Sequence, residues 1–208
     1  LQIAKCYANR IIGLKEINRT VDNIVNQVIV LKNSNSRIGL YTRNATIGEE
    51  YAMVEQFIDY YCSKFVRDNK KHNLAVFVEP RIDSGFPDVV FAVYRPSIMD
   101  NWSNEREKLD VSDLKLLSFL CYTSNVTGDM IITKLGLPEK QTLKSLEKLL
   151  DAKLVVRRNN CWQARNISDI FSITKLIAVE AKLSSVSKVA EQSFLNTWFA
   201  SHSYALIN

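Results

Sequence analysis

Residues 175–183 read Lys-Leu-Ile-Ala-Val-Glu-Ala-Lys-Leu, a short apolar run bounded by polar residues. That length and composition predict a buried strand. Side chains alternate between the two faces of a strand, so Ile177, Val179, Ala181 and Leu183 share one face and Glu180 and Lys182 the other. The first face suits a core. The second sets a carboxylate beside an ammonium near the strand's end, where charge is costly unless it is paired or binds something.

A second apolar pattern complements the first. Residues 74–80, Leu-Ala-Val-Phe-Val-Glu-Pro, and 87–94, Pro-Asp-Val-Val-Phe-Ala-Val-Tyr, predict two strands of an antiparallel hairpin. The connection over 81–86 contains Gly85 and reads as a turn. Pro87 suits a strand's first position, where no ladder donor is needed. Asp88 follows it and shares a face with Val90, Ala92 and Tyr94. If this strand lies beside 175–183, Asp88 and Glu180 converge on one divalent cation, with Lys182 next to it.

Pro87-Asp88 followed on a later strand by Glu180-Ala181-Lys182 resembles the PD-(D/E)xK nuclease superfamily. A helix before the hairpin and another after the Glu-x-Lys strand complete the likeness, which covers about 47–94 and 172–208. The resemblance implies an α/β fold, a restriction-endonuclease-like mixed sheet flanked by helices. It also implies a Mg²⁺- or Mn²⁺-dependent DNA endonuclease. Asp88 and Glu180 would be metal ligands, and Lys182 would orient or deprotonate a water or offset developing charge. Taken alone, a Glu-x-Lys is more often an ordinary surface ion pair on a core strand.

Residues 47–67 carry Ile47, Tyr51, Val54, Ile58, Tyr61 and Phe65 at helical spacing, and Thr46 with Glu49 forms a capping-box pattern. In the resembled family a helix in this position often supplies a further acid. Glu50 is the first choice and Glu55 the second, and helix phase leaves open whether Glu50 faces the site or simply borders the core. Glu79 and Asp83 are alternative acids near Asp88. A helix over 184–203 places Val189, Phe194, Leu195, Trp198 and Phe199 on its buried side. Gln192, with Lys188 second, would support the site from that helix, as the resemblance implies. Residues 203–207 read as the next strand.

Residues 95–173 are too long a gap to lack structure. Helices are expected from Asp110 onward, over 129–135 and over 139–151, with Leu143, Leu146, Leu149 and Leu150 inward. A ribbon follows over 154–164, turning at Asn159-Asn160. This order resembles a winged helix-turn-helix domain. On that likeness Lys140, Gln141, Lys144, Ser145 and Lys148 would face DNA from the third helix, and Arg157 and Arg158 from the wing. A helical domain used for protein contacts is the other reading of the same residues.

The expected organisation is therefore an N-terminal helical segment over 1–44, a discontinuous nuclease-like core over 45–105 and 167–208, and the inserted domain over 106–166. In the first segment Leu14, Ile17, Val21, Ile24, Val28 and Leu31 predict an apolar helix face, although the β-branched run at 27–31 competes as a strand. That face either packs on its own domain or forms a homodimer seam. A net charge of +5 and the 47% hydrophobic content fit a globular domain with an anionic partner, namely DNA. No apolar run is long enough for a membrane span, and Lys5 and Arg10 argue against a signal peptide. The four cysteines lack metal-site spacing, which favours reduced thiols and a cytoplasmic setting. The chain starts at Leu1 and ends within a strand-like stretch, as a fragment would. A partner subunit is a further expectation. The alternative function is an inactive DNA-binding or assembly module on the same core.

Overall fold

The structure is a computed structural model that describes residues 27–34, 36, 40–44, 46–82, 85–100 and 103–208. In chain order it contains β1 (Val28–Leu31), α1 (Glu49–Asp68), β2 (Asn73–Val78), β3 (Val89–Tyr94), α2 (Pro96–Asp100) and α3 (Asn104–Glu107). Then come α4 (Val111–Tyr122), β4 (Val126–Thr127), α5 (Gly128–Leu135), α6 (Glu139–Asp151), β5 (Val155–Arg158) and β6 (Cys161–Ala164). The chain closes with α7 (Ile167–Ile170), β7 (Ile173–Lys182), α8 (Val186–Asn196) and β8 (His202–Ile207). The described residues fall into two compact units. One holds Ser97–Ser172, and the other the residues up to Pro96 together with Ile173–Asn208.

The second unit is built on a mixed five-stranded sheet in the order β1-β2-β3-β7-β8. Its centre is antiparallel, β2 to β3 and β3 to β7, and its two outer pairs are parallel. Parallel neighbours need a crossover of a dozen or more residues, and α1 and α8 supply the two crossovers. The six residues of β3 are all buried, as a central strand's continuous apolar run requires. One sheet face carries Val76, Phe91, Ile177 and Val179, and α1 covers it with Val54, Ile58 and Phe65. The Tyr61 and Phe91 rings meet there with centroids 4.4 Å apart. Helix α8 lies over the other face, burying Val189, Ser193 and Asn196.

Three local expectations are corrected. Helix α1 starts at Glu49 behind Gly48, with no side-chain cap from Thr46, and Ile47 is exposed rather than part of the stripe. The competing strand prevails at the end of the 14–31 pattern: Val28–Leu31 pairs with β2, because β-branched residues fit a pleated sheet edge. The rest of that pattern and its dimer seam lie outside the described residues. Helix α8 ends at Asn196, so Phe194, Leu195 and Trp198 are exposed and its inward stripe is Val189, Ser193 and Asn196.

The unit over Ser97–Ser172 packs α4, α5 and α6 around Leu116, Leu117, Leu120, Ile131, Leu146 and Leu149. A small sheet, ordered β4-β6-β5, closes it with Trp162. Asn159 and Asn160 turn the β5–β6 hairpin with φ of 48° and 62°, a left-handed pair that asparagine tolerates. Asp110 caps α4 in a reciprocal capping box with Asp113. The short β4 had no signal, since Val126–Thr127 is too brief for a period.

Helix α6 also corrects the sequence reading. Its inward stripe is Thr142, Ser145, Leu146 and Leu149, while Leu143 and Leu150 are exposed. Ser145 Oγ donates to the buried Asp113 Oδ1 at 2.6 Å. Lys148 Nζ donates to Asp113 Oδ2 at 2.8 Å and to Asp110 Oδ2 at 3.0 Å. Ser145 thus hydrogen-bonds a buried carboxylate and the partly buried Lys148 neutralises it, so both are engaged within the unit. Burying Asp113 demands such partners, which overrides the simple apolar stripe. Lys140, Gln141 and Lys144 remain exposed, as do Arg157 and Arg158. Among the described residues, no helix is long and apolar enough to cross a membrane.

Candidate active site

Four segments meet at one end of the five-stranded sheet: the end of β2, the approach to β3, the end of β7 and the start of α1. The strand registers explain why. Val78 pairs with Val89, and Val89 pairs with Val179. One step further out, Glu79, Asp88 and Glu180 fall side by side; Asp88 stands opposite Glu180 by continuation of the register, while Glu79, at φ of 46°, has left the strand's alternation. Lys182 lies two residues beyond Glu180 at the strand's end, where its ammonium reaches Glu50 of α1 while Glu180 meets Asn196 of α8.

Asp88 is fixed from β7, where the Ala181 amide donates to its Oδ2 at 2.7 Å. Burial pushes its carboxyl above the ordinary range, a shift that the Ala181 hydrogen bond and the Lys182 charge partly offset. Glu180 is only 5% exposed, and the Asn196 side chain donates to its Oε1 at 2.7 Å. Burial dominates here too and, with the Asp88 charge, raises the Glu180 carboxyl to about 7 against the opposing Asn196 hydrogen bond. Lys182 Nζ sits 3.4 Å from Glu50 Oε2, so of the two readings for Glu50 the geometry favours the site.

Arg43, Glu50, Glu79, Asp88 and Lys182 line one pocket of about 290 Å³. Glu180 is not among its lining residues; it lies behind the wall, turned toward Asn196. Arg43 enters because residues 41–43 run beside 79–81: its amide donates to the Glu79 carbonyl at 3.1 Å, and Arg81 N donates to the Tyr41 carbonyl at 2.7 Å. Its guanidinium Nε pairs with the Glu79 carboxylate, and Nη2 stands 4.0 Å from Asp88 Oδ1.

The remaining expectations separate cleanly. Glu55 points elsewhere, bonding Lys32 at 2.7 Å and Tyr51 at 2.9 Å. Asp83 lies outside the described residues. Gln192 and Lys188 are exposed on α8, and the amide that reaches the site is Asn196, one turn after Gln192. Asn196 was missed because Phe194, Leu195 and Trp198 look like the buried side of that helix. Arg43 was missed because nothing near it in sequence signals that 41–43 pairs with 79–81.

Oxygen donors suit a hard divalent cation, and Asp88 and Glu180 are carboxylates raised by burial whose ionisation such a charge would favour. Among the described residues, no three His, Cys, Asp or Glu side chains are already gathered in ligand geometry. Comparison with protein-family models, with curated proteins and with solved structures gives no significant match.

Proposed function

We propose that this chain is a Mg²⁺- or Mn²⁺-dependent deoxyribonuclease of the PD-(D/E)xK type, with the Ser97–Ser172 unit acting as an inserted winged helix-turn-helix domain that grips DNA. The observation that carries the reading is the meeting of Asp88 with the Glu180–Lys182 strand. The hydrogen bond from Ala181 to Asp88 joins residues 93 positions apart. An incidental surface Glu-x-Lys has no reason to meet a half-buried aspartate at the end of a sheet.

Asp88 and Glu180 would hold the cation, with Glu79 and Glu50 as neighbouring acids. A hard cation bound there polarises a phosphoryl oxygen and acidifies a bound water. The chain's own contribution is positional and electrostatic. Ala181 N fixes Asp88 at the pocket, while Glu180, held by Asn196 behind the wall, would have to turn to reach a cation there. Glu50 holds the Lys182 ammonium at the pocket, where it offsets negative charge developing on the phosphate.

In the helical unit, exposed Lys140, Gln141 and Lys144 on α6 and Arg157 and Arg158 on the β5–β6 hairpin form the proposed DNA face. Arg157 is braced against the Trp162 ring, 5.2 Å from its centroid. The net charge of +5 supports an anionic partner. Free Cys62, Cys121 and Cys161 suit a reducing compartment such as the cytoplasm.

A second reading, a DNA-binding or assembly module with an inactive core, rests on the burial of Glu180 away from the pocket lining. One experiment separates the two. Purified protein is incubated with plasmid and with linear duplex in Mg²⁺, Mn²⁺ or EDTA, alongside Asp88→Asn, Glu180→Gln and Lys182→Ala. Metal-dependent cutting lost in all three variants is expected. Duplex binding without cutting by the unaltered chain would favour the inactive module.

A further inference from the structure

Arg43 has no place in the reading above, yet it is the most unusual side chain in the pocket. One edge of its guanidinium is anchored to Glu79, a carboxylate on a residue only 7% exposed. Its flat face lies over the Phe86 ring, 5.7 Å from the centroid, within the range of a cation–π contact. Glu79 itself adopts φ of 46°, a left-handed conformation that costs a non-glycine residue about 1–3 kcal/mol and survives only where its surroundings impose it. Those surroundings are visible. Glu79 N donates to the Asp88 carbonyl at 2.9 Å, and the Glu79 carbonyl accepts from Arg43 N at 3.1 Å.

The anchoring leaves donors unused. Arginine has five N–H groups in a planar fork. Among the described residues, only Nε makes a hydrogen bond; Nη2 reaches no closer than 4.0 Å to Asp88 Oδ1, an ion pair without a hydrogen bond. The Arg43 side chain is 55% exposed, so its unused edge is open to solvent at the pocket. Charge balance makes this edge matter. Three carboxylates line the pocket, Glu50, Glu79 and Asp88, against two cations, Arg43 and Lys182. Lys182 already faces Glu50. Before any cation binds, an entering phosphodiester therefore meets a net negative wall, and Arg43 offers it a pre-positioned fork of donors.

We propose that Arg43 is a substrate-binding residue whose free guanidinium edge takes a phosphate of the nucleic-acid strand in this pocket, while Glu79 and Phe86 hold the other edge and the ring face still. The assignment rests on the pocket's reading as a phosphodiester site. It differs from a plain Arg–Glu surface pair, which is worth little and would leave binding untouched. Arginine is suited to the role because its fork binds phosphate through two parallel hydrogen bonds, whereas lysine acts as a point charge.

The test uses the full chain, a fluorescein-labelled short DNA duplex and Ca²⁺ as the cation, with anisotropy read across a range of salt. Arg43→Gln is expected to weaken binding about tenfold or more, the effect of a lost charge-assisted contact. It also flattens the slope of log affinity against log salt by about one, the signature of one lost phosphate contact. Arg43→Lys keeps the slope and loses affinity, since charge stays and the fork goes. An unchanged slope and affinity in Arg43→Gln, with a melting temperature lowered equally in Glu79→Gln, would make Arg43 structural and overturn the proposal. If Arg43→Gln does not fold, unaltered affinity in Arg43→Lys overturns it instead. Mg²⁺-dependent cutting that needs Glu180, alongside normal binding by Arg43→Gln, removes this assignment and spares the nuclease reading. An unaltered chain that binds no duplex even at low salt removes both.

Discussion

Glu180 shows how one side chain couples the site to the fold. Its carboxyl is raised to about 7 from an ordinary 4.5, chiefly by burial. The folded state therefore holds a proton that the unfolded state has released between those values. Stability of the cation-free protein is expected to fall as pH rises from about 4.5 to about 7, by on the order of 1–3 kcal/mol. Asp88, shifted the same way, adds with the same sign. Mg²⁺ favours the ionised acids, so thermal melts with Mg²⁺ should lose this decline or reverse it. A melting temperature that rises over that pH range without cation would contradict the assignment of Glu180 as an acid raised by burial. Asn196→Leu leaves the Glu180 oxygen without its donor, at a cost of about 1–3 kcal/mol seen in denaturant unfolding, and deepens the pH dependence. Glu180 and Lys182 stood out in the sequence because a strand's period of two sorts side chains without further information. Asn196 and Arg43 did not, since one is an amide on a helix whose apolar residues point outward and the other arrives through pairing of irregular segments.

Among the elements, α6 separates two kinds of lysine. Lys148 neutralises Asp113, which is completely buried, whereas Lys144 is exposed. Lys148→Met is expected to destabilise the protein by about 2–4 kcal/mol, because it strands a buried charge, with no flattening of the salt dependence of DNA binding. Lys144→Ala should leave the melting temperature within about 2 °C and weaken duplex binding. Equal stability losses in the two variants would show the helix to be phased differently. Leu143 and Leu150 suggested another inward stripe for α6, and burial of Ser145 against Asp113 overruled them: buried polar groups follow their partners, and partners lie far away in sequence. The hairpin and β7 were easier. Their apolar runs are bounded by polar or turn residues, and the strands formed close to where those runs predict. The start of α1 was harder, since the Thr46–Glu49 pattern is one that the chain does not use.

For the whole molecule, the insertion of one compact unit into the chain of another follows from the long gap between β3 and β7, which was visible without coordinates. What a gap of that kind cannot reveal is how two distant segments share a sheet end, because strand order depends on pairing. The claim on which the functional account stands is that Asp88 and Glu180 act on one cation. Titration of Mn²⁺ followed by electron paramagnetic resonance measures this directly, through the loss of the free-ion signal. The account predicts a bound Mn²⁺ whose affinity drops sharply in Asp88→Asn and in Glu180→Gln and is kept in Lys182→Met, where only a non-ligand is changed. Mn²⁺ binding that survives both acid substitutions, or that the folded protein never shows, would contradict it.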